Sequence, residues 1–114
     1  MTDIPFGVIV LTDFPFTDLS SSKRRPALVV SADNGDREDV IVVYITSVLR
    51  TLPNAILLEP TTANGLKTKS LVRFDKIATL DKSIIAGRLG SVDSAWLTQH
   101  RDAFFAVFGF GLPA

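Results

Sequence analysis

A mainly β domain, a small antiparallel β-barrel with a C-terminal α-helix packed on it, is the fold class predicted by this chain of 114 residues. Two observations lead there. Over roughly the first eighty residues, short segments rich in Val, Ile, Leu and Phe recur between Pro, Gly, Asn and Asp clusters, with no long helical pattern among them. Only the tail changes its hydrophobic period from that of a strand to that of a helix.

The strand candidates come in order. GVIVLTDF (7–14) and PALVVS (26–31) are β-branched or aromatic runs bounded by breakers. DVIVVYIT (39–46), AILLE (55–59), SLVRF (70–74) and KIATL (76–80) follow the same pattern. Several are near-continuous apolar runs, as expected of strands covered on both faces. Turn-forming clusters lie between them: PFTDLSSS, ADNGDRE and EPTTANG. Lys76 and Lys82 read as charges on a tight turn, DKIATLDKS, paired with Asp75 and Asp81. From Asp93 onward, SAWLTQHRDAFFAVF sets Leu97, His100, Phe104 and Phe108 at helical spacing, with Gln99, Arg101 and Asp102 off that stripe. Asp93 suits the N-cap and Gly109 the C′ position. His100, Phe104, Phe105, Phe108 and Phe110 are assigned to the core or a dimer interface rather than to a binding site.

Composition narrows the function classes. The length fits one domain, residues 1–114, with one core. An apolar share of 46% is that of a globular protein. No cysteine and one histidine give no basis for a disulfide frame, thiolate chemistry or a zinc site, so no metal or other cofactor is expected. The acidic, briefly apolar N-terminus MTDIPFGVIV does not read as a signal peptide, and no run approaches the roughly 20 apolar residues of a membrane span. A soluble cytoplasmic domain is the expectation. Net charge is zero, yet its distribution is uneven. Residues 1–22 hold Asp3, Asp13 and Asp18 with no base, whereas residues 66–90 hold Lys67, Lys69, Arg73, Lys76, Lys82 and Arg88 against Asp75 and Asp81. A neutral total can therefore contain a basic face.

Chemistry has to come from arginine, lysine and hydroxyl groups. The lone histidine lies on an apolar helix stripe, no glycine-rich phosphate loop occurs, and the acids of ADNGDRED miss the alternation of a calcium loop. In SSKRRPALVVS (21–31), Lys23, Arg24 and Arg25 stand at the entrance of a strand. Pro26 biases Arg25 to extended backbone, and a guanidinium there can grip a phosphate through two parallel hydrogen bonds. Thr46 ends DVIVVYIT with Ser47 behind it, and a hydroxyl at a strand end can donate to the same anion. Taken singly, each is equally an ordinary solvated strand end.

The order of motifs adds to this. GVIVLTDFPF, SSKRRPALVVS, VYITS (43–47), GLKTKSLVRFDKIATLDKSII (65–85) and RLGSVD (88–93) together resemble the PemK/MazF family of toxins from toxin–antitoxin pairs, across nearly the whole chain. The resemblance implies an SH3-like barrel of the PemK/MazF/CcdB type, a homodimer, a cognate antitoxin as partner, and a metal-independent endoribonuclease acting on single-stranded RNA, chiefly messenger RNA, at short motifs. Carried over residue by residue, it puts the catalytic arginine at Arg25 and the catalytic threonine at Thr46. Phe16, Lys23, Arg24, Ser47, Lys67, Lys69 and Arg73 are the accompanying RNA-binding candidates. Some members carry a glutamate in the first loop; here the loop reads TDLSSSK, with Asp18 its only acid. Two alternatives share the barrel: a catalytically silent module that blocks a protein target such as gyrase, and an SH3-like domain that captures a peptide.

Overall fold

The computed structural model describes residues 4–13, 24–32 and 37–110. Six strands form one antiparallel sheet: β1 (Val8–Thr12), β2 (Arg25–Val29), β3 (Asp39–Thr46), β4 (Ala55–Leu58), β5 (Ser70–Asp81) and β6 (Gly87–Ser91). Their order across the sheet is β4-β5-β3-β2-β1-β6. A short 3-10 turn, Lys82–Ile84, separates β5 from β6, and α1 (Ser94–Phe105) follows. None of the described helices is long and apolar enough to cross a membrane.

The central strands are apolar on both faces, and each face has its own cluster. On one face Val8, Val10, Ala27, Val29, Val40, Val42 and Leu80 pack together. On the other, Ile9, Leu28, Val43, Ile45, Val72 and Phe74 meet the Trp96, Leu97, Phe104 and Val107 side chains of the helical segment. Side chains alternate across a strand, so near-continuous Val/Ile runs supply both clusters at once. Burying each such side chain contributes about 1.5–3 kcal/mol, which is why β1, β2 and β3 form the rigid centre.

Three sequence expectations are corrected. SLVRF and KIATL are one strand, β5, and DKIATLDKS is not a tight turn: only its last residues enter the 3-10 turn. The apparent break comes from a bulge, because Val43 pairs with Ile77 while Tyr44 pairs with Arg73. The extra residues turn Phe74 to the helix side, where its ring lies 5.8 Å from Phe104 and 6.3 Å from Trp96. The second correction is β6, GRLGS, whose two glycines and half-exposed pattern carry little strand propensity; it exists because β1 offers it an edge. Third, α1 stops at Phe105 with Ala106 as its C-cap, so Gly109 is not at C′. The N-terminal end is as expected: the Asp93 carboxylate accepts from Trp96 N at 2.8 Å.

The sheet curls so that the loop after β4 reaches β6. Ser91 N donates to the Ala63 carbonyl at 2.9 Å. Two glycines permit this approach. Gly65 has φ +71° and a Cβ there would strike the Leu89 backbone, while a Cβ on Gly90 would strike the Ala63 carbonyl and Asn64.

Candidate functional site

Strand register brings the candidate pair together. In the β2–β3 ladder Ala27 opposes Tyr44, Leu28 opposes Val43 and Val29 opposes Val42. Continued by two residues, the same register sets Arg25 opposite Thr46, the end residues of their strands. Directly opposed residues of an antiparallel pair project from the same face with Cβ atoms about 4.5–5.5 Å apart. On the other side of β2, Arg25 pairs with Thr12. Thr12 is fully buried, and its hydroxyl donates to the Ile84 carbonyl at 3.4 Å.

Arg25 and Thr46 line one open groove of about 510 Å³ at this end of the sheet. Arg24 and Pro26 stand beside Arg25, and Ser47 and Val48 continue from Thr46. The facing wall is the segment from Gly65 to Thr68 with Ser70, and Leu11, Ile45 and Leu89 form an apolar floor. Arg24, Arg25 and Lys67 are cationic, and no carboxylate is among the described residues lining the groove. The arrangement suits an extended anion with an apolar or aromatic part.

The hydroxyl of Thr46 is oriented. Its side chain is largely buried, and Oγ1 accepts from Val48 N at 3.1 Å, which leaves the O–H proton to be donated. Arg25 is half-buried and Arg24 exposed, and both line the groove.

Lys69 and Arg73 do not line the groove. Lys69 Nζ lies 3.4 Å from Glu59 Oε2. Arg73 donates to the Asp75 carboxylate from Nε at 3.0 Å and from Nη2 at 2.8 Å. That forked bond holds the Asp75 carboxyl below its ordinary value of 3.8 and raises that of Arg73. Asp75, expected to pair with Lys76, is instead gripped by Arg73 across one intervening residue, and Lys76 adds only a weaker charge effect on it. Asp81 instead accepts from Ser83 N at 2.8 Å at the start of the 3-10 turn, and its carboxyl is lowered by that bond. Phe16, Asp18 and Lys23 lie outside the described residues. His100 is half-buried, with its ring 4.7 Å from that of Trp96, and is not a groove residue. Among the described residues no group of three or more His, Cys, Asp and Glu could hold a metal ion.

Sequence reasoning missed Tyr44, Thr68 and Ser70 as groove residues. Tyr44 stands two positions before Thr46 on the same strand face, a relation the period of two could have exposed. Thr68, on the loop before β5, and Ser70, the first residue of β5, carried no signal of their own.

This fold is shared with solved proteins. An endoribonuclease from a mycobacterial species has TM-score 0.78 and 26% identity, over 99% of this chain and 98% of its own. A mycobacterial endoribonuclease in complex with its cognate antitoxin has TM-score 0.76 and 26% identity, over 96% of this chain and 99% of its own. In sequence, a probable endoribonuclease MazF of Mycolicibacterium smegmatis is 33% identical over 91 residues, 78% of this chain and 84% of that relative. Residues 6–108 match the family described as PemK-like, MazF-like toxin of type II toxin-antitoxin system. The chain belongs to this PemK/MazF toxin family.

Proposed function

We propose that this family member is an endoribonuclease toxin that cleaves single-stranded RNA in the Arg25–Thr46 groove, without a metal ion. The observation that carries the reading is the register that opposes a guanidinium and an oriented hydroxyl at the edge of one cationic groove. The endoribonuclease names of the relatives support it.

RNA brings its own nucleophile. The ribose 2′ oxygen gives up its proton and attacks the adjacent phosphorus, the bond from phosphorus to the 5′ oxygen breaks, and that oxygen takes up a proton, so the products are a 2′,3′-cyclic phosphate and a 5′ hydroxyl. The protein has to hold the strand in line and stabilise the charge of the pentacoordinate phosphorus. Arg25 binds the non-bridging oxygens through its fork, and Thr46 donates to one of them. Arg24, Ser47 and Lys67 hold the flanking backbone, and the apolar floor receives a base. Lys69 and Arg73 extend the binding surface outside the groove, and Phe16 and Lys23 are further binding candidates.

Incubation of the purified protein with single-stranded RNA in EDTA tests this. Cleavage that leaves 5′-hydroxyl ends and is lost in Arg25→Ala is the expected result. Intact RNA, with the protein instead binding gyrase, would favour a silent toxin-fold module. By analogy with the mycobacterial complex, a cognate antitoxin covers the cationic groove with an acidic segment that folds on contact. A homodimer belongs to the same proposal, and light scattering of the purified protein checks it.

A further inference from the structure

The groove has two walls, and the one facing Arg25 and Thr46 is not a strand. It is the end of the loop between β4 and β5, and four of the hydrogen bonds that shape this loop converge on Asn64. The Asn64 side chain is 3% exposed and does not itself line the groove. Its Oδ1 accepts from Thr61 N and from Leu66 N, both at 3.0 Å. Its Nδ2 donates to the Glu59 carbonyl at 2.8 Å, and its own backbone N–H donates to Thr61 Oγ1 at 3.0 Å. Three of the four hydrogen-bonding positions of one buried amide are thereby used.

The consequence reaches the groove through Leu66, Lys67 and Thr68. Leu66, whose N–H is held by Asn64, is buried in the helix-side core and also lines the groove. Lys67 and Thr68 follow it directly on the lining, and Ser70 Oγ donates to the Thr68 carbonyl at 2.9 Å to fix the far end. The left-handed Gly65 sets the direction in which the chain leaves the loop. Lysine on a free loop would lose much of its binding contribution to the entropy of being ordered; on this braced segment the backbone part of that cost is met during folding.

We propose that Asn64 is a positioning residue for substrate: it fixes the wall that carries Lys67 and Thr68 across from Arg25 and Thr46, and so sets how tightly an RNA strand is held. This rests on the ribonuclease reading of the groove and deepens it. The Arg25 side of the groove is braced separately by the strand ladder, so Asn64 governs binding more than turnover.

The test is steady-state cleavage of a fluorogenic single-stranded RNA by wild type, Asn64→Ala, Lys67→Ala and the double variant, below the melting temperature of each. Asn64→Ala is expected to raise KM about 10-fold, in keeping with the loss of a buried hydrogen-bonding group, with kcat changed by less than about 3-fold. In the Lys67→Ala background the same substitution should raise KM by a smaller factor, because it acts in part through Lys67. Asn64→Asp, which keeps both accepted bonds, should recover part of the KM. Thr61→Val, which removes a single bond to the loop, serves where Asn64→Ala does not fold and should shift KM in the same direction. An unchanged KM in an active, folded variant overturns this inference alone, as does full additivity with Lys67→Ala. Wild-type protein that leaves the RNA intact overturns the ribonuclease reading itself and this inference with it.

Discussion

The two walls of the groove are built by different means. The Arg25–Thr46 wall ends an ordinary antiparallel ladder, whose register carried two residues past Ala27–Tyr44 opposes a guanidinium and a hydroxyl. Any β-branched sequence of the right length would hold it, so its chemistry is separable from its stability. The Lys67–Thr68 wall is a loop, and it needs particular residues: a buried amide at Asn64, and glycines at 65 and 90 where two backbones meet. There the geometry and the fold are one and the same feature. A site residue on a ladder can be exchanged cheaply, whereas a residue that shapes a loop wall cannot.

Substitutions can break that contrast. Arg25→Ala should lower kcat by roughly 10²–10³-fold, the loss typical of a removed oxyanion-type donor, with little change in melting temperature. A large loss of stability on that substitution would show that the ladder wall depends on its functional residue after all. Gly65→Ala should do the opposite in kind. Its φ of +71° and the collision with the Leu89 backbone should cost about 3 kcal/mol of folding free energy, read as a fall in Tm of roughly 10–20 °C.

Smaller changes sharpen it. Asp93→Ala removes the N-cap of α1, a residue that does not line the groove, and should cost about 1 kcal/mol while kcat and KM stay as in wild type. Asp75→Asn separates Arg73 from its partner on the half-exposed face of β5, an effect below about 1 kcal/mol for such a surface pair. Its pH dependence has a definite sign. The folded carboxyl titrates below 3.8, so the pair contributes fully above that value and its contribution fades as pH falls through the lower folded value. Denaturation of Asp75→Asn and wild type at pH 7 and near pH 2 should therefore show a gap that closes in acid. If Arg73 contributes to RNA binding from outside the groove, the same variant lowers KM in low salt.

Much of this was legible beforehand, for reasons that can be named. GVIVLT, PALVV and DVIVVYIT read as strands because burial on both faces demands long apolar runs, and Asp93 read as a cap because a helix start needs an acceptor. Arg25 and Thr46 were legible as candidates through the order of motifs. Lys69 and Arg73 looked equivalent to Lys67 in the sequence, yet Glu59 and Asp75 engage them and only Lys67 reaches the groove. The Asn64-Gly65 pair read as a turn and nothing more. GRLGS did not read as a strand at all, because edge pairing with β1 outweighs its weak propensity.

The chain alone therefore settled β1 to β4, its final helix and the chemical types available to a site, since these follow from local periodicity and composition. Which cation meets which hydroxyl, where β5 bulges and how the loop after β4 closes onto β6 were decided only in three dimensions. The physical reason is range. Hydrophobic period and capping act over a few neighbouring residues, but a ladder register, a buried amide and a glycine against a distant carbonyl join positions whose proximity exists only once the sheet has curled.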